Sequence, residues 1–274
     1  MLRARVATAG VLAPVLLAGV WLLPTAALAV VLAVPAALAA WEWAGLIGVA
    51  GRAAAAGLVL GFLATLVPAW LALEAGWADP GLVYAAAGLW LVILLGVALH
   101  ATGRLPRLGA VVVAGLGWLT LGGLWLAMTY LHGHTAWGPF WITFLLVLVW
   151  GADTGAYFAG RAWGRRRLAA SLSPGKTWEG VAGGLAAALI AGATLVLVLD
   201  PARPSWPLLL AISVATVAAA ILGDLFESAL KRQRGVKDSG GILPGHGGLL
   251  DRIDSLMAAA PILAAGVAWW QSTA

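Results

Sequence analysis

The sequence predicts an all-α, polytopic transmembrane helical protein, and three observations predict it. Of its 274 residues 62% are hydrophobic and only 10% are charged. Mean hydropathy is +0.98. Apolar runs of about 18 residues or more recur along the whole chain, long enough for a helix to cross the hydrocarbon core. With no cysteine in the chain, disulfides and thiolate metal sites are excluded. The net charge of +5 does not point to nucleic acid. In a chain of this class basic residues set orientation and meet anionic lipid.

Nine spans are predicted, at roughly 5–24, 26–48, 54–73, 82–100, 108–130, 140–160, 178–199, 206–227 and 254–270. Pro24-Thr25 separates the first two, which form a tight hairpin. Arg3 and Arg5 before an apolar run, and Ala26-Ala27-Leu28-Ala29 after it, also resemble a signal peptide with a cleavage site. The apolar run passes straight into another, so an uncleaved span is the preferred reading. With the N-terminus in the cytoplasm, every basic residue but Arg203 falls on the cytoplasmic side, as the positive-inside rule requires. The outer loops are short and hold Glu74, Asp79 and Asp200.

The two long cytoplasmic connections, about 161–177 and 228–253, lie in the C-terminal half. Residues 1–137 therefore read as a transmembrane scaffold and 138–274 as the catalytic region, with its residues at the cytoplasmic face. The segment Ser228–Asp254 is dense in charge, with Lys231, Arg232, Arg234, Lys237, Asp238, His246, Asp251, Arg252 and Asp254 among its residues. Just upstream, Asp224 and Ser228 are four apart and share a helix face, as do Glu227 and Lys231. Glu227 and Lys231 read as an intrahelical ion pair. A carboxylate at the membrane edge, such as Asp224, is a functional candidate because burying it is costly. The glycines around His246, including Gly247 and Gly248, let backbone N–H groups approach an anion. Asp251 and Asp254 are three apart and face one way. Either could cap the following helix, whereas the pair suits Mg²⁺, which takes hard oxygen ligands.

The other connection follows Asp153, an acid inside a span. It carries Arg161 and Arg165-Arg166-Arg167, read as an orientation signal, and then Ser173-Pro174-Gly175-Lys176-Thr177-Trp178-Glu179. Gly175-Lys176-Thr177 is no P-loop, since Ala170 stands where the first glycine belongs and an apolar helix precedes it. Ser173-Pro174 reads as the start of the seventh span, which seats Lys176 beside a helix N-terminus, a good place for phosphate. Glu42, between Trp41 and Trp43, reads as an interfacial anchor that snorkels. His132-Gly133-His134 is expected to have no metal role, because it lies in an outer loop.

Ser228–Asp254 resembles the signature of phosphatidate cytidylyltransferases. The pattern Ser-x-Leu-Lys-Arg, four residues, Lys-Asp-x-Gly, two residues, Leu-Pro-x-His-Gly-Gly-Leu-x-Asp-Arg-Ile-Asp is met at every specified position. The likeness extends to Asp153-Thr154-Gly155-Ala156-Tyr157 and to the Ser-Pro-Gly-Lys-Thr-Trp-Glu-Gly segment. One departure is Gly175, where the family has a second lysine, so Lys176 stands alone. The resemblance implies transfer of a cytidylyl group from CTP to phosphatidic acid, giving CDP-diacylglycerol and pyrophosphate. It implies Mg²⁺ on Asp224 and Asp251, with Asp254 next, and leaves room for a second ion such as K⁺ and for a homodimer. Asp224, Asp251, Lys231 and His246 are then the catalytic set. Lys176, Arg232, Lys237, Asp238, Gly247, Gly248, Arg252, Ser173 and Asp153 are the substrate-binding set. The expected site is a polar cavity walled by spans six to nine and open sideways to the bilayer of a bacterial-type inner membrane. A membrane transporter, the main alternative, would show paired repeats and mid-membrane polar sites. A CTP-dependent polyprenol kinase is the other alternative.

Overall fold

The computed structural model describes residues 2–76, 80–101, 108–199, 201–242 and 247–273. Its helices are α1 (Leu2–Leu22), α2 (Thr25–Ile47), α3 (Arg52–Glu74), α4 (Gly81–Ala101), α5 (Ala110–Gly133), α6 (Gly138–Trp163), α7 (Trp178–Leu199), α8 (Trp206–Arg234) and α9 (Leu250–Thr273). Among the described residues, eight helices, α2 to α9, are long and apolar enough to cross a membrane. The described apolar stretch of α1 is Ala13–Leu22. Three buried hydroxyls are satisfied inside their own helices, as hydrocarbon demands. Ser213, Thr216 and Thr120 each donate to the carbonyl one turn back.

Three boundaries differ from the sequence expectation. Residues before Trp178 form an antiparallel hairpin rather than a helix start, with β1 (Arg167–Ala169) against β2 (Ser173–Thr177). Glu179 is the cause on one side, because its carboxylate accepts the backbone N–H groups of Arg165 (3.0 Å) and Arg166 (3.1 Å) and folds the arginine run back. Thr177 is the cause on the other. Its hydroxyl accepts from the Gly180 N–H at 3.1 Å, which is an N-cap and fixes the helix start one residue later. Helix α8 runs on past residue 227 to Arg234 and stops at Gly235, whose φ of 78° only glycine takes freely. Helix α9 begins at Leu250 instead of 254. The connection between them thus shrinks to 235–249.

Small residues decide which helices touch. A Cβ on Gly155 of α6 would come within 2.5 Å of the Ala187 Cβ and 2.6 Å of the Gly183 carbonyl on α7. One on Gly184 would lie 2.6 Å from the Ala152 carbonyl. Backbone therefore meets backbone along α6–α7, the usual basis of helix association in lipid. At the α8–α9 crossing a side chain on Gly223 would overlap the Asp254 carbonyl oxygen. Across the N-terminal half, Trp43 Nε1 donates to the Val113 carbonyl (2.8 Å) and Trp125 Nε1 to the Ala29 carbonyl (2.8 Å), joining α2 to α5. His132 pairs with Thr25 Oγ1 and the Val20 carbonyl, each at 2.9 Å, and His134 stacks on Tyr130. The His132 imidazole holds the α1–α2 turn on α5.

Gly184→Val should separate α6 from α7 and cost about 1–3 kcal/mol, the scale of overpacking a tight core. Gly175→Ala, whose added Cβ meets nothing within 4 Å, should leave thermal unfolding in detergent unchanged. Equal melting temperatures for both variants would contradict the close α6–α7 contact.

Candidate active site

Two ionic clusters form where α8, α9 and the β-hairpin meet. Asp224 lies on the last third of α8, facing Lys176 at the end of β2. Lys176 Nζ stands 2.5 Å from Asp224 Oδ2, and Ser228 Oγ donates to Oδ1 at 3.3 Å. One turn on, Lys231 Nζ lies 2.5 Å from both Glu227 Oε2 on its own helix and Asp251 Oδ1 on α9. Lys231 and Glu227 are buried. Charges this desolvated persist only when paired, so the i, i+4 pair is also the strut between α8 and α9. Glu227 Oε1 is buried and has no hydrogen-bond partner among the described residues.

Asp251 organises the loop before it. Its Oδ2 accepts from the backbone N–H of Gly248 (2.9 Å) and of Ser239 (3.1 Å). Gly247, at φ 84°, turns the chain so that these amides converge. A side chain on Gly248 would meet Glu42 Oε2 at 2.7 Å and Asp251 Oδ2 at 2.9 Å. Asp254 takes its own neighbour, the Ser255 N–H, at 2.6 Å, and interacts electrostatically with Asp224, Lys176 and Lys231.

Glu42 does not snorkel. It is 4% exposed, and its Oε2 accepts from the Leu250 N–H (2.8 Å) and from Ser239 Oγ (3.3 Å). A carboxylate from α2 therefore caps the first turn of α9, where the helix dipole favours negative charge, and clasps the loop. Its other oxygen, Oε1, is buried without a hydrogen-bond partner among the described residues. Trp43 sets the direction, its indole fixed to α5 and its ring against Phe226 of α8.

A cavity of about 230 Å³ opens beside the Lys176–Asp224 pair. It is bounded by Asp153 and Tyr157 of α6, Lys176, Gly180 of α7, Ile221 of α8 and Ser255 of α9, so the expected wall of spans six to nine is present. Asp153 interacts electrostatically with Lys176 and Asp224. The structure thus brings Asp153 and Lys176 to one cavity, with Asp224 paired to Lys176 and Asp254 interacting with both; Lys231, Asp251 and Gly248 form the neighbouring cluster. Lys237 and Asp238 are exposed on the loop. Arg232 reaches back to the Leu172 carbonyl of the hairpin turn (3.4 Å), and Arg252 lines a second cavity that Asp153 also borders. Ser173 is at the far end of β2, away from the cavity lining. His246 lies outside the described residues, as do Arg104, Arg107, Asp79 and Asp200. Sequence reasoning missed Ser239, for which no signal exists, and Glu42, whose flanking tryptophans imitate an interfacial anchor.

Such a site, with carboxylates, lysines and converging amides at one end of a helical membrane bundle, suits enzymes that act on phosphorylated substrates. The profile of the Cytidylyltransferase family matches residues 3–270, and the chain belongs to that family. It is 40% identical over 298 residues to the phosphatidate cytidylyltransferase of Pseudomonas aeruginosa, covering 97% of this chain and 96% of that one. It is 37% identical over 282 residues to the same enzyme of Haemophilus influenzae, covering 95% and 96%. With the Brucella suis enzyme it shares 46% identity over 156 residues, 55% of this chain and 57% of that one.

Glu42→Ala should leave the Leu250 amide without its acceptor and release Ser239, costing about 1–3 kcal/mol of stability. Glu42→Gln keeps an acceptor oxygen and should retain most of it. Thermal melts of the two variants in detergent decide the role, and a harmless Glu42→Ala would return Glu42 to the interface.

Proposed function

We infer that this chain transfers the cytidylyl group of CTP to phosphatidic acid, releasing pyrophosphate and giving CDP-diacylglycerol. The observation that carries the reading is the Lys176–Asp224 pair beside a cavity lined in part by Asp153, Tyr157 and Ser255, within a chain that matches the cytidylyltransferase profile over residues 3–270. A phosphate oxygen of the lipid attacks the α-phosphorus of CTP, a new P–O bond forms, and the bond to pyrophosphate breaks. Both reactants are anions, so positioning and charge neutralisation are the main demands on the protein. Lys176 sits at the N-terminus of α7, where ammonium and helix dipole together favour phosphate. On substrate entry it exchanges Asp224 for a phosphate oxygen. Lys231 stays paired and acts by holding Asp251, and through it the loop amides of Ser239 and Gly248. The attacking phosphate is already ionised, so a general base is not required.

Mg²⁺ fits the residues present. Asp224, Glu227, Asp251 and Asp254 outnumber the two lysines that face them, and Glu227 Oε1 has no hydrogen-bond partner among the described residues. Asp224 and Asp254 would hold the ion, because both oxygens of Asp251 already accept from Lys231 and backbone amides. No set of three ligands is gathered among the described residues, which suits an ion that completes its shell with water and phosphate oxygens. Held by Asp224 and Asp254, the ion would screen the two anions and polarise the α-phosphate of the transferring cytidylyl group. The end of the bundle carrying Lys176, Lys231 and the exposed Arg165–Arg167 run faces the cytoplasm of a bacterial-type inner membrane, supported by the segregation of basic residues.

Purified protein with Mg²⁺, CTP and phosphatidic acid should release pyrophosphate in proportion to CDP-diacylglycerol formed. Lys176→Ala should lower kcat/KM about tenfold to hundredfold, the loss of one charge-assisted phosphate contact. Asp224→Asn should abolish turnover with the fold retained. CTP hydrolysis without a lipid product, or an active Asp224→Asn variant, would overturn the assignment.

A further inference from the structure

A second cavity, of about 610 Å³, lies on the other side of Asp153. Half of its lining comes from α1, α2 and α5, N-terminal helices that carry little reactive chemistry, and the rest from α6, α9 and Leu249. Leu16 of α1, Leu32 and Pro35 of α2, Trp125 of α5, Leu146 of α6 and Leu256 of α9 give it an apolar body. Its polar lining is confined to one end, at Asp153, Thr154 and Arg252. Asp153 also lines the cavity beside Lys176, so the two spaces share a wall residue. From Thr154 to Leu146 along α6 the apolar part descends about 12 Å, at the helical rise of roughly 1.5 Å per residue.

We propose that this cavity holds an acyl chain of the phosphatidic acid substrate, with Arg252 at its mouth meeting the lipid phosphate. The inference rests on the reaction given above and goes beyond it in assigning chain binding to α1, α2 and α5. Three features select the occupant. The body is apolar over a length that suits a hydrocarbon chain and no nucleotide. A cation stands at the one polar end, complementary to a phosphomonoester. That end adjoins the cavity of Lys176, so a lipid seated here presents its phosphate to the reacting centre while its chain stays in an apolar environment. The N-terminal half then acts as more than a scaffold: it sets which lipids reach the site, and how deeply.

The test uses purified full-length protein and two substrates in mixed micelles, dihexanoyl and dioleoyl phosphatidic acid. Leu32→Trp fills the body of the cavity from α2, and Ala13→Trp fills it from α1. Val31→Trp is the control, since Val31 is 50% exposed on the outside of the same helix. Both filling variants should lower kcat/KM for the dioleoyl lipid by about tenfold or more, as expected from losing burial of a few methylene groups. They should leave the dihexanoyl lipid within about twofold. Should Leu32→Trp fail to fold, Ala13→Trp decides alone. Equal loss on both lipids, as a resident structural lipid would give, or no loss on either, overturns the proposal. Wild-type protein inactive on both lipids would instead remove the reaction itself.

Discussion

Buried carboxylates need cations or amide donors in contact to stay charged, and this constraint organises the C-terminal half. Asp224, Glu227, Asp251 and Asp254 sit on the adjoining ends of α8 and α9, with Lys231 between the helices and Lys176 arriving from the hairpin. Removing Lys231 would leave the buried Glu227 charge uncompensated, which costs several kcal/mol. The arrangement keeps a surplus of carboxylate oxygen at the cavity while satisfying the rest, the condition a phosphate-and-metal site needs. The stabilising knot and the proposed reactive site draw on the same residues in different roles. Lys231 and Asp251 are held by several partners, and Lys176 and Asp224 mainly by each other.

That knot depends on close backbone approach. Without a side chain at Gly223, α8 reaches the Asp254 carbonyl and sets Asp224 beside Asp254. Gly155 and Gly184 let α6 and α7 touch, which brings Asp153 and Lys176 to one cavity. Glu42 closes the arrangement from the far end of the sequence. Its bond to the Leu250 amide makes the N-terminal half part of the loop's support.

Much of this was legible in the sequence. Apolar run lengths gave the helices, and i, i+4 spacing gave the Asp224–Ser228 and Glu227–Lys231 contacts that the structure contains. The seat of Lys176 before α7 was expected too, though from Ser173-Pro174 opening the span, and those residues instead form part of β2. What could not be read was tertiary. The hairpin depends on Glu179 accepting amides from Arg165 and Arg166, a pairing with no periodic signal. The burial of Glu42 depends on Trp43 packing against α5 and Phe226, which a local tryptophan-rich pattern cannot distinguish from an interfacial belt. The division of labour between Asp251 and Asp254 likewise appeared only once the loop amides were seen to converge on Asp251.

The central claim is that Lys231 and Asp251 are energetically joined across α8 and α9. A double-mutant cycle on Lys231→Ala and Asp251→Ala, read as unfolding free energy in detergent micelles, measures that directly. Each single variant should be strongly destabilised and the double variant should recover part of the loss, giving a coupling of about 1–3 kcal/mol. Additive effects, with coupling below about 0.5 kcal/mol, would show that the two side chains do not hold the helices together and would contradict the ionic strut on which the site is built.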